Sequence, residues 1–178
     1  MRRKATADRS GDDGPEVDPA DAARTIALAS LNAAPRTRAQ LSELLLSRGI
    51  PPHVATACLD RFVELHLIDD AEYARTWVRS RHHVRHLPRR ALRYELVRKG
   101  LEQPDIDAAL ELIDDEDERS AALALAVKKA AATRGLGQQV RRRRIMGMLM
   151  RKGFTADVAA KAMAEALEEE GLDIDWDE

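Results

Sequence analysis

At 178 residues the chain fits one ordinary domain or a short array of small units and excludes two large domains. Apolar residues reach 44% but are mostly Ala, Leu and Val, the aromatics being Phe62, Tyr73, Trp77, Tyr94, Phe154 and Trp176, while charged residues reach 34%, so any core is thin and aliphatic and the surface densely ionic. The sole cysteine, Cys58, excludes an internal disulfide and a Cys-based zinc cage, and no apolar run is long enough for a membrane span or a secretory h-region, so the cytoplasm is the expected compartment.

The net charge of −2 hides strong segregation. Residues 71–100 hold nine basic side chains against Glu72 and Glu95, a net of +7, and residues 101–119 hold nine acids against Arg119, a net of −8. The sign flips again: nine bases and no acid in residues 120–152 (+9), then nine acids against Lys161 in residues 153–178 (−8). Such blocks create local potentials that steer charged partners although the whole molecule is almost neutral.

Residues 1–20 combine charge, Gly and Pro with few apolar side chains, too few to offset the entropy of ordering, and are expected to form a disordered arm. Helical periodicity then predicts helices over 21–34, 37–48 and 51–66 in a first unit (21–67). A second unit (68–113) is predicted with helices over 69–85, 88–99 and 104–113, and a third (114–169) with helices over 115–134, 138–152 and 155–169. Residues from Glu168 onward are mostly acidic and read as a frayed end, with 170–178 an acidic tail.

The division into units rests on a pattern that occurs three times: Arg48-Gly49-Ile50, Lys99-Gly100-Leu101 and Lys152-Gly153-Phe154, the glycines spaced by 51 and 53 residues. Four and eight residues before each glycine stand Leu45 and Leu41, Leu96 and Leu92, then Leu149 and Ile145. This is the signature of a helix ended by a left-handed glycine, with a basic residue on its last turn and an apolar residue folded over the end. Thr37 with Gln40 forms a capping box, Pro51 and Pro52 suit a first turn, and Asp69 with Glu72 is a further cap-like pair. Fifty-residue units bury too little surface to stand alone, so neighbouring units are expected to share packing in an elongated array, in which the long Ala-rich helix of the third unit suits a spacer. Tyr73, Trp77, Val78 and Val84 are expected to form an apolar face joining the first two units.

At Leu67-Ile68-Asp69-Asp70-x-x-Tyr73-Ala74-x-x-Trp77-Val78-x-x-Arg81, the helix ending Leu96-Val97-Arg98-Lys99-Gly100-Leu101, and Arg143-Arg144-x-x-Gly147-x-Leu149-x-Arg151-Lys152-Gly153-Phe154, the sequence resembles the RecX family of bacterial regulatory proteins over residues 21–169. The resemblance implies an all-α fold of three tandem three-helix repeats in an elongated, curved array. It also implies a molecule that lies in the groove of the RecA filament, limits its growth or promotes its disassembly, and lowers its recombinase, ATPase and coprotease activities. No cofactor is implied, and a monomer is expected.

The candidate contacts are Trp77 and the basic residues Arg79, Arg81, Arg85, Arg89, Arg90, Arg93, Arg98 and Lys99 of the second unit, with Arg141, Arg142, Arg144, Arg151 and Lys152 of the third. Uncompensated like charge on a helix is destabilising unless it meets an anionic partner, so RecA surfaces and single- or double-stranded DNA are the expected partners. A helix cannot point Arg141 to Arg144 in one direction, so at most two of them should share a contact. His82, His83 and His86 have helical metal-ligand spacing but no accompanying carboxylate or thiol, and fit a fraying helix end near Pro88 better. Gly135-Leu136-Gly137 is a helix-to-helix turn, and no nucleophile, base and orienting group assemble in the sequence, so no enzyme is expected. Two other readings fit the same residues: a helical DNA-binding transcriptional regulator and a structural adaptor between proteins.

Overall fold

The computed structural model describes residues 18–174, and residues 1–17 of the expected arm lie outside that range. Asp18 to Ala20 belong to the fold instead: the Asp18 carboxylate accepts from the Ala20 N–H at 2.9 Å and Pro19 opens the first helix, where its missing N–H costs nothing. Nine helices and no strand are present among the described residues. They are α1 (Pro19–Ala33), α2 (Arg38–Ser47), α3 (Pro52–Glu64), α4 (Asp70–Arg85), α5 (Arg89–Arg98), α6 (Gln103–Leu110), α7 (Asp115–Ala131), α8 (Gln138–Lys152) and α9 (Ala156–Ile174). The last helix corrects the expected fraying as far as Ile174, because α9 continues through Glu168 and Glu170 is buried, while residues 175–178 of the expected tail lie outside the described range.

The three glycines act as the repeat demands. Gly49, Gly100 and Gly153 have φ of 81°, 76° and 102°, and the next residue's N–H returns to the carbonyl five residues earlier: Ile50 to Leu45 (3.1 Å), Leu101 to Leu96 (3.4 Å) and Phe154 to Leu149 (3.3 Å). The residue after each glycine is thereby folded over the helix end and buried with the leucine it bonds. At the other end of α2 the expected capping box is complete, Thr37 Oγ1 accepting from the Gln40 N–H and Gln40 Oε1 from the Thr37 N–H, each at 3.2 Å.

Each unit has its own core. Ala23, Ala27, Leu41, Leu45, Ala55, Leu59 and Phe62 fill the first; Ala74, Val78, Leu92, Leu96, Ile106, Ala109 and Leu110 the second; Ile145, Leu149 and Phe154 with a set of alanines the third. Substantial helix–helix packing is confined to pairs within a unit. The Ala-rich α7 is not a spacer: Ala121, Ala122, Ala126 and Ala130 pack in one cluster with Ala159, Ala162 and Ala166 of α9, small side chains that let the two helices approach closely. Nor do the units share an apolar face. Val78 is inside the second core, Tyr73 and Trp77 lie against that core, and Val84 is 71% exposed.

What joins the units is the end of one middle helix set against the start of another. The Thr37 hydroxyl donates to the Lys99 carbonyl (2.7 Å), the Arg38 N–H donates to Asp70 Oδ1 (2.9 Å), and Gly100 lies so close to Ala39 that a Cβ there would collide with it. The second joint repeats the plan: Gly153 lies against Pro88 and Ala91, and the Arg89 N–H donates to Glu118 Oε1 (3.2 Å). The C-terminal end of α5 thus meets the N-terminus of α2, and that of α8 meets α5, so partial charges of opposite sign face each other at both joints. Burial raises the Asp70 carboxyl above its ordinary range, opposed by the bond from the Arg38 N–H.

Candidate macromolecule-binding surface

Whether a basic side chain can meet a partner depends on what it already holds. Arg89 is committed to the second joint: its guanidinium bonds Glu118 (2.9 Å) and Asp115, contacts that raise its pKa, led by Asp115. Arg93 pairs with Asp107 (2.7 Å), whose carboxyl lies below its ordinary range because Gln103 and then Arg93 donate to it. Arg141 is turned inward, its side chain 16% exposed, where it and Arg134 enclose Glu170 and it also donates to the Ala130 carbonyl (3.1 Å). Lys152 donates to the Arg85 carbonyl at 3.1 Å, bridging the second and third units. The acidic blocks therefore restrain the chain's own basic helices at these points.

Trp77 sits in a cluster rather than at an open surface. Its indole N–H donates to Glu95 (2.7 Å), Tyr73 stacks on it at 6.0 Å, and Arg81 and Lys99 lie 4.2 and 3.9 Å from the ring centre. Arg81 also reaches Glu95 at 3.6 Å, so this acid, the one opposing charge on α5, is turned away from the basic outer face. One edge of Trp77 lines a groove with Tyr73, Leu31, Pro35 and Leu67 between the first two units.

Of the other candidates, Arg79, Arg85, Arg90, Arg98, Arg142, Arg144 and Arg151 are exposed and form no ion pair with the described residues. Arg90 and Arg98 share the outer face of α5 with Arg93, Tyr94 and Val97, the spacing of i, i+3, i+4, i+7 and i+8 that lines one side of a helix. Counting back from Gly153 as from Gly100, α8 carries Arg143 where α5 has Arg90, Met150 where it has Val97, and Arg151 where it has Arg98. Leu46, Val97 and Met150, each three residues before its glycine, are all exposed at 45%, 53% and 45%. Aligning the glycines singles out Arg143 within the four-arginine run, whereas Tyr94, which aligns with Glu43 and Gly147, is found only from its exposure.

The histidines end α4 in an orderly way. His86 takes the left-handed conformation at the C-cap (φ 51°), and His82 Nδ1 lies 3.0 Å from the Leu87 carbonyl. Burial, then the neighbouring His82, Lys152, His83 and Lys128, hold the His86 imidazole below its ordinary pKa. No group of three or more His, Cys, Asp or Glu side chains among the described residues is arranged to hold a metal. No helix of the described residues is long and apolar enough to cross a membrane.

Family models match each unit in turn: RecX, first three-helix domain, over residues 23–62; second, over 69–110; third, over 115–163. The chain is 48% identical over 159 residues to the regulatory protein RecX of Streptomyces coelicolor, covering 89% of this chain and 85% of that protein. It is 43% identical over 179 residues to that of Thermobifida fusca, covering 99% and 97%. Among solved structures, RecX from Lactobacillus salivarius superposes with a TM-score of 0.76 at 24% identity, covering 84% of this chain and 97% of that one, a likeness of fold. A second crystal structure, of regulatory protein RecX, gives 0.74 at 26% identity over 83% of this chain and 72% of that one. Three matched units in the family's order, together with relatives alike over nearly the whole length, show that this chain belongs to the RecX family of regulatory proteins.

Proposed function

We propose that the protein binds the RecA nucleoprotein filament and lowers its recombinase, ATPase and coprotease activities by limiting filament growth or promoting disassembly. Family membership supports RecA as the partner. The observation that carries the mode of binding is the repetition in register of the basic outer faces of α5 and α8, Arg90, Val97 and Arg98 against Arg143, Met150 and Arg151, on helices set end to end. A filament presents the same surface at regular intervals, and an array of repeated units fits more than one protomer at once. The second contact then forms at a high effective concentration. A chain bridging protomers favours whichever filament state matches its own spacing, and covering the end of a filament blocks the next addition.

The test is RecA-dependent ATP hydrolysis on single-stranded DNA with this protein in substoichiometric amounts. Hydrolysis and strand exchange are expected to fall well before every protomer has a partner, and the effect to weaken as salt rises. Unchanged hydrolysis at high protein would overturn the proposal.

A further inference from the structure

Tyr94 is the one aromatic residue among the described residues that the fold leaves uncovered. Phe62 and Phe154 are buried and Tyr73 and Trp77 stack on each other, but Tyr94 projects from the middle of α5 with 65% of its surface exposed. Fully exposing a ring forfeits apolar burial, and nothing in the second core needs it at this position. Its neighbours on the helix face are Arg90 one turn before and Arg98 one turn after, with the Arg98 guanidinium 5.9 Å from the ring centre. No carboxylate lies on that stripe: Glu95, the residue after Tyr94, is bonded by the Trp77 indole, and Asp107 is held by Arg93 at its margin. Arg90 and Arg98 pair with no described acid although nine acids follow directly in residues 101–119.

A flat ring flanked along one line by two unneutralised arginines is the chemistry of single-stranded nucleic acid. The ring offers a stacking surface to an unpaired base, and the guanidiniums meet the phosphates on either side. A protein partner can also take a tyrosine flanked by arginines, an occupant that the variants below distinguish by their effect on RecA hydrolysis. A duplex keeps its bases stacked inside and gives the ring no partner. We infer that the outer face of α5 is a binding site for single-stranded nucleic acid, with Tyr94 stacking on a base and Arg90 and Arg98 holding the adjacent phosphates. Arg151 reaches back along α8 over Gly147 as Arg98 does over Tyr94, so the third unit repeats the phosphate contact without the ring.

The site builds on reading this surface as the one that meets partners, but it needs no filament, so its test omits RecA. Binding of the full chain to a fluorescein-labelled oligo(dT), and to a duplex of equal length, is followed by anisotropy at low salt. Tyr94→Ala is expected to weaken oligo(dT) binding by about tenfold and Tyr94→Phe to preserve it, as a stacking contact requires. Duplex affinity should not change in either variant. Arg90→Ala and Arg98→Ala should each reduce the slope of log affinity against log salt by about 0.7. Thermal melts confirm that the variants fold, which the exposure of all three side chains favours. Failure of the wild-type chain to bind oligo(dT), unchanged binding by Tyr94→Ala, or an equal loss for single strand and duplex would each overturn the site. If Tyr94→Ala instead relieves inhibition of RecA hydrolysis while oligo(dT) binding is intact, the face contacts protein: the inference fails and the proposed function stands.

Discussion

Arg141 and Arg142 are chemically identical neighbours, yet one lies in the interior of the third unit and the other faces solvent. The difference is one residue's rotation about α8, which brings Arg141 over Glu170 and the end of α7 and sends Arg142 outward. Glu170 is nearly enclosed, its side chain 8% exposed, and the bonds from Arg134 and Arg141 hold its carboxyl below the ordinary value of about 4.5. A depressed carboxylate pKa stabilises the fold above the unfolded-state value, and that contribution is lost as pH falls through the folded value. Arg141→Ala is therefore expected to lower stability at neutral pH by about 2 kcal/mol, since it strips a buried carboxylate of one of two partners. It should also flatten the loss of stability on the acid side of the ordinary glutamate range. Urea unfolding at neutral and acid pH measures both, and a variant as stable as wild type would show that Arg134 alone suffices. By contrast, Arg142→Ala should stay within about 0.5 kcal/mol of wild type.

At the scale of the element, one backbone device serves two purposes. Each glycine ends its middle helix, but Gly100 and Gly153 also form half of a joint, against Ala39 and against Pro88 and Ala91, whereas nothing lies within 4 Å of the Gly49 site. Among the described residues no other unit packs against Gly49, so it has only its own helix to finish. Gly49→Ala should cost about 1 kcal/mol, the penalty of a side chain in the left-handed region. Gly100→Ala should cost about 2–3 kcal/mol, because the added methyl also drives into Ala39. Gly153→Ala falls between, its Cβ meeting Ala91 at 3.3 Å, a contact that a small shift relieves. Chemical denaturation of the three variants checks the order, and equal losses would mean that the joints contribute nothing beyond the helix ends.

On the scale of the whole molecule, three small cores are linked by helix ends and a few charged bonds rather than by a shared apolar interface. Salt therefore acts on the joints as well as on partner binding. The charge blocks have a mixed use: Asp107, Asp115, Glu118 and Glu170 hold Arg93, Arg89 and Arg141 in place, and the arginines left over are concentrated on the outer faces of α5 and α8. Two charge-reversal variants separate these roles. Arg143→Glu with Arg151→Glu should preserve folding and abolish most inhibition of RecA hydrolysis. Arg89→Glu should destabilise the chain through repulsion with Glu118 and Asp115. Inhibition at wild-type level by the Arg143/Arg151 double variant would place the contact surface elsewhere.

The sequence by itself determined the helices, their grouping in threes and the family, because a helix needs only local spacing and its glycine stop is a property of the backbone at one position. Leu41 and Leu45 before Gly49, repeated at Leu92 and Leu96 and at Ile145 and Leu149, state which side of each middle helix is buried. Only the tertiary structure decided which arginines face outward, since Arg89 meets Glu118 and Arg141 meets Glu170 across 29 residues of chain in each case. Charge density along a sequence records how many cations there are; which of them are neutralised depends on the acids that folding brings beside them. The same holds for the joints, where Thr37 reads as a local cap and turns out also to donate to Lys99, 62 residues away. Local signals fix local structure, and pairing at a distance requires the fold.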